Sequence, residues 1–142
     1  MPTSTSFRIR VVGGLSILFV DGISFDIVDT TNHLLCVYEY RGLSLSLSTP
    51  LSASFRGPWN NFRTRVPMDV ERFGGMAHIA SIGGADRSGT FLTISPLGSF
   101  PIDIEPMDTG FTAGFGAGIG MGDFSRVFPA IPVSDAPWPH NV

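Results

Sequence analysis

The side chains able to do chemistry are few and scattered. The chain has three His (His33, His78 and His140) and a single Cys, Cys36. A zinc site needs about four ligands, with close pairs among them. His33 and Cys36 make one such pair and the sequence offers no second, so no metal is expected. Ser and Asp are plentiful, but there is no G-x-S-x-G elbow to hold a serine on a strained turn. His78 reads instead as a strand-face residue beside Met76 and Ala80. Asp103 and Glu105 sit two residues apart, with Asp108 following. Paired carboxylates suit Ca²⁺ or glycoside hydrolysis. Their alternation with Ile102 and Ile104 has a simpler source, the solvent side of a half-buried strand. Neither a cofactor nor catalysis is expected.

Composition removes further classes. All nine basic residues are Arg, and there is neither Lys nor Gln. Without Lys there is no Schiff base, no P-loop clamp and no Ser–Lys dyad. A formal net charge of −3 disfavours nucleic acid, which needs a positive field. Arg63 and Arg65, with Arg56 and Arg72 nearby, form one mildly basic stretch that Asp69 and Glu71 half offset.

One segment has the makeup of a recognition loop: Trp59-Asn60-Asn61-Phe62, flanked by Arg56 and Arg63. An aromatic face beside amide and guanidinium donors suits a sugar ring, a protein hot spot or a membrane surface. The competing reading makes Trp59 and Phe62 plugs at one end of the core.

These residues need a frame. At 142 residues the chain suits one domain that buries roughly 68–70% of its unfolded surface. Charged residues make up 15%, against about 25% in ordinary domains, so much of the surface must be covered by protein. Short alternating runs between Gly, Pro, Asp and Asn predict an all-β domain, an antiparallel sandwich or closed barrel of roughly eight to ten strands. Phe7, Ile9 and Val11 alternate with Arg8 and Arg10; Asp21-Gly22 predicts a type I′ hairpin turn. Asp29 to Asn32 predicts the next turn. Leu34 to Tyr40 reads as a central strand broken by Arg41-Gly42, and Leu43, Leu45 and Leu47 alternate with Ser. Residues 55–67 read as a long irregular aromatic loop, and Met68 to Phe73 fits a strand or a short helical turn. The domain is assigned to residues 1–128, with residues 129–142 a proline-rich extended C-terminal arm.

Arg8 and Arg10 before the apolar run Val11–Val20 resemble a signal peptide, but Asp21-Gly22 follows with no cleavage pattern, so the run is read as strand. Cys36 lies in an apolar run and reads as a buried small hydrophobe, compatible with a cytoplasmic setting. The compartment itself is left open.

The most informative segment is Gly110 to Gly122. Its even positions are Gly except Thr112, and its odd positions are apolar. A period of two predicts a strand. Its bare face, through Gly110, Gly114, Gly116, Gly118, Gly120 and Gly122, would let aromatic rings lie against backbone, while the odd residues, Met121 among them, would be buried. The low charge, this strand and the proline arm point to a non-catalytic assembly module that self-associates or docks on a protein partner. A carbohydrate-binding module using the 56–63 loop is the alternative, with a glycan as ligand. A membrane-active or pore-forming β protein is a third reading. Against a membrane stand eleven Pro and strands judged shorter than the roughly 9–11 residues a spanning strand needs.

Overall fold

The computed structural model describes residues 2–17, 20–44, 59–82, 89–107 and 118–133. Among the described residues, period-two alternation becomes strand: β1 (Ser4–Ile17), β2 (Val20–Asp29), β3 (Leu34–Ser44), β4 (Asn60–Met68), β5 (Gly75–Ile82), β6 (Gly89–Pro96), β7 (Ile102–Met107), β8 (Gly118–Arg126) and the short β9 (Ile131–Pro132). The ladders among the described residues are all antiparallel. The order is β4-β1-β2-β3-β8-β5-β6-β7, with β9 added beside β3. The sheet curls into a nearly closed barrel, so the sandwich alternative falls away. The two ends of the strand path, β4 and β7, meet at a seam.

The barrel is filled from the inward positions of its long strands. Phe7, Ile9, Phe25, Ile27, Tyr38, Phe62, Leu92, Ile94, Ile104 and Phe124 are all buried. Aromatic rings meet at its centre: Tyr38 stacks on Phe124 with centroids 4.9 Å apart, and Phe7 meets Phe73 edge-on at 4.9 Å. Tyr38 also ties down the turn after β4. Its hydroxyl donates to Val70 O at 2.6 Å and accepts from Phe73 N at 3.0 Å. That turn is a single 3-10 turn, Val70–Arg72, capped by the Asp69 side chain, which settles residues 68–73 as a helical turn following the end of β4.

The predicted turn after β2 forms as expected. Asp29 is fully buried and its Oδ1 accepts from Thr31 N and Asn32 N at 2.9 and 3.0 Å. His33 closes it in the left-handed region, at φ 57.

Several expectations are corrected. The hairpin turn is not at Asp21-Gly22: Ile17 pairs with Val20, and Asp21 and Gly22 lie inside β2 opposite Ser16 and Leu15. A turn there would forfeit their pairing with Gly42 and Arg41 of β3. Arg41-Gly42 does not break β3, because Gly42 is opposite Gly122 of β8 and the Tyr40 ring occupies the space a Cβ at Gly42 would need. The 55–67 stretch is not irregular from Asn60 on. Exposed Asn61, Arg63 and Arg65 alternate with buried Phe62 and Thr64, the period of a half-buried strand. Lastly, several strands are long enough to count against the earlier objection: β1 has 14 residues, β2 10, β3 11, and β4 and β8 9 each.

The glycine strand is extended over Gly118–Arg126, but its odd face is not buried as expected at Met121. Gly120 is buried in phase with Phe124, while Met121 is 52% exposed. Glycine faces the lumen because the β3 backbone crowds it: a Cβ at Gly122 would collide with Arg41 O and the Gly42 Cα. Gly110, Gly114, Gly116, Leu45 and Leu47 lie outside the described residues, as does the arm beyond residue 133. Residues 127–133 run along β3, with Val127 N donating to Val37 O at 2.8 Å and Val133 N to His33 O at 2.9 Å.

Candidate functional site

The aromatic segment is split by the fold. Phe62 is buried, stacked on Phe7 at 5.5 Å and edge-on to Phe73 at 5.8 Å, because an even position of β4 points inward. Trp59 and Asn60 are half-buried, Asn61 and Arg63 are exposed, and Arg56 lies outside the described residues. One face of Trp59 is taken by the Arg10 guanidinium, 4.5 Å from the ring centroid. Arg10 is itself 4% exposed and holds Asp26 Oδ2 through Nε and Nη2, both at 2.9 Å. A buried pair of this kind costs desolvation that its attraction must offset, and the indole face over the cation adds to that offset. Trp59 thus roofs an ion pair on the outer side of β1 and β2, while Phe62 belongs to the core.

The remaining reactive groups lie apart. His78 is exposed on β5 and Asp103 is exposed on β7, where it accepts from the Thr93 hydroxyl at 2.8 Å. Cys36 is buried, with Sγ 3.4 Å from Phe128 O, and burial pushes its thiol up to about 11. A thiol so protonated is a poor nucleophile. Among the described residues no three His, Cys, Asp or Glu side chains gather as a metal site would require.

The seam is concave. Among the described residues no ladder joins β4 to β7. Between them lies a cleft of about 210 Å³, walled by Arg63, Thr64 and Met68 on one side and Phe100, Ile102 and Asp103 on the other. A large bulge shapes it. Ser4 pairs with Met68 and Ser6 with Arg63, so residues 64–67 of β4 stand opposite Thr5 alone. The Thr64 hydroxyl holds the bulge by donating to Val66 O at 2.7 Å. Bulges of this kind commonly end pairing at sheet edges. Side chains bridge the lower end, where the Ser99 hydroxyl lies 3.8 Å from the Met68 sulfur. Phe100 lines the cleft at 56% exposure.

Family models, curated proteins and solved structures all fail to match this chain. The site therefore stands on its geometry. Sequence reasoning singled out Arg63 and Asp103 separately and missed that the barrel brings their strands together. One signal pointed there: Pro67, Pro101 and Pro106, since proline in sheets is confined to edges and bulges.

Proposed function

We propose that the domain is a non-catalytic assembly module that pairs through its open seam with a second copy of itself. The observation that supports this reading is the pair of edges, β4 and β7, which among the described residues stand across a cleft without closing a ladder. Edge strands expose a row of unsatisfied backbone groups and serve as templates for strand addition.

Charge selects which edges pair. The β4 edge presents exposed Arg63 and Arg65, and the β7 edge presents exposed Asp103. Joining β4 to β4 of a second copy would set Arg against Arg. Joining β4 to β7 matches opposite signs. Such a contact is head-to-tail, so it builds rings or filaments and not a two-fold dimer. Phe100 in the cleft wall supplies apolar surface for the contact, and the prolines in both edges limit indiscriminate pairing.

A charge swap tests this. Light scattering should find oligomers of the wild type at micromolar concentrations. Arg63→Glu with Arg65→Glu, and separately Asp103→Arg, should each give monomers. Mixing the two variants should restore assembly, because each then offers the other a complementary edge. A wild type that stays monomeric, or mixed variants that do not associate, would refute the proposal.

A further inference from the structure

After Arg126 the chain stays beside β3 but no longer fits it as a regular strand. The β3–β8 ladder runs unbroken from Ser44 with Gly120 to Tyr38 with Arg126. Pairing resumes at Leu35 with Ile131 and Leu34 with Pro132. Between the two ladders, Cys36 and Val37 stand opposite residues 127–130, four against two. The β1–β2 ladder is bulged as well, after Val11, where one residue is extra; beside β3 the excess is two. Val127, Phe128 and Ile131 remain 42%, 60% and 54% exposed. Pro129 and Pro132 have no N–H to give to a ladder. Residues 127–133 therefore lie on β3 as a strap that buries little apolar surface.

What holds the strap is mostly polar, and it converges on Glu71. The ends of the strap bond to Val37 O and His33 O. In the middle, Ala130 N donates to Glu71 Oε2 at 2.6 Å. At the root, Arg126 Nη1 lies 3.2 Å from Glu71 Oε1. Hydrogen bonds to a charged acceptor are the stronger kind. The carboxylate is itself fixed to the barrel. Glu71 belongs to the 3-10 turn that Asp69 caps and the Tyr38 hydroxyl ties down. Beneath the strap lies Cys36, buried, with its thiol against Phe128 O.

We propose that residues 127–133 form a displaceable strap, latched by Glu71, that lifts from β3 while the barrel stays folded. Lifting it breaks the bonds to Val37, His33 and Glu71 and uncovers the β3 edge from His33 to Val37, with the Cys36 thiol. Of the strap's side chains, Ala130 packs against the core, so the barrel loses little when the strap leaves. Segments with few buried apolar contacts and solvent-facing hydrogen bonds are the ones that open locally, below the free energy of global unfolding. Closed, the strap covers a strand edge that would otherwise be a template for pairing, and its prolines keep it from becoming such a template itself. It lies beside β3 and not at the seam between β4 and β7, so the device does not depend on assembly there.

Cys36 is the chain's single Cys, so its labelling reports the strap directly. The full chain is treated with an aromatic disulfide reagent at fixed pH, and the released aromatic thiolate gives the rate. Below the unfolding transition the rate should barely change with urea, because lifting residues 127–133 exposes little surface. Glu71→Ala, which removes the latch, should raise the rate at least about tenfold. Gly122→Ala weakens the barrel away from the strap and should leave the rate unchanged. The proposal is overturned if wild-type labelling carries the full urea dependence of global unfolding, if Glu71→Ala labels no faster than the wild type, or if Gly122→Ala speeds labelling as much as Glu71→Ala does.

Discussion

Replacing Tyr38 by Phe removes one oxygen from the centre of the barrel and little else. The ring can keep its stacking on Phe124 and its edge contact with Phe73 at 6.2 Å. What goes is the pair of hydrogen bonds to Val70 O and Phe73 N. Tyr38, Val70 and Phe73 are all fully buried, so water cannot readily replace the hydroxyl. An orphaned buried donor or acceptor costs about 1–3 kcal/mol, and two of them give an expected loss of about 2–6 kcal/mol. Small domains have only about 5–15 kcal/mol in total, so the midpoint of urea unfolding should fall visibly. The slope should stay as in the wild type, because the surface exposed on unfolding is nearly the same. A loss under about 0.5 kcal/mol would refute the reasoning, since surface-type substitutions already reach that size, and would show that the 3-10 turn is held by Asp69 and packing alone.

Two further outcomes follow from burial and close approach. The Cys36 thiol is pushed from its ordinary value of 9.0 up to about 11 by burial, and burial raises the Tyr38 phenol too. The folded state holds the Cys36 proton more tightly than the unfolded chain does, so its contribution is complete below about pH 9 and is lost as pH climbs to about 11, by roughly 2–3 kcal/mol. With no Lys to titrate in that window, urea midpoints measured against pH should fall there, and Cys36→Ala should flatten part of the fall; an unchanged curve would count against the burial argument. Gly122→Ala should cost about 1–3 kcal/mol by overpacking, since its Cβ meets the β3 backbone. Gly74→Ala, whose Cβ would sit at an ordinary 3.4 Å from Phe124 O, should be near neutral, and equal losses in thermal melts would remove the crowding explanation.

Strand identity was legible because period-two alternation is a local property. Phe7, Ile9 and Val11, or Ile102 and Ile104, declare an inward face without reference to anything distant. Turn chemistry was legible where a side chain holds the turn locally, as Asp29 does. It misled at Asp21-Gly22, whose suitability for a tight turn was outweighed by two neighbouring ladders. The seam was out of reach because it depends on β4 and β7 meeting after the sheet has curled through the intervening strands. The exposure of Met121 was missed for a related reason: alternation says that two faces differ, not whether both are covered. Phe62 and Trp59 look alike in sequence, and the single residue of parity between core and roof follows from where β4 begins.

The bulge after Val11 has a consequence for how this fold can change. Val11 pairs with Phe25 and the next pair is Gly14 with Ile23, so three steps along β1 match two along β2. One extra residue acts like a frameshift in geometry. A one-residue deletion at Gly13 would remove the bulge and shift every β1 pairing beyond Val11 by one, so a single indel, without any change of residue type, would exchange the two faces of the strand's outer half.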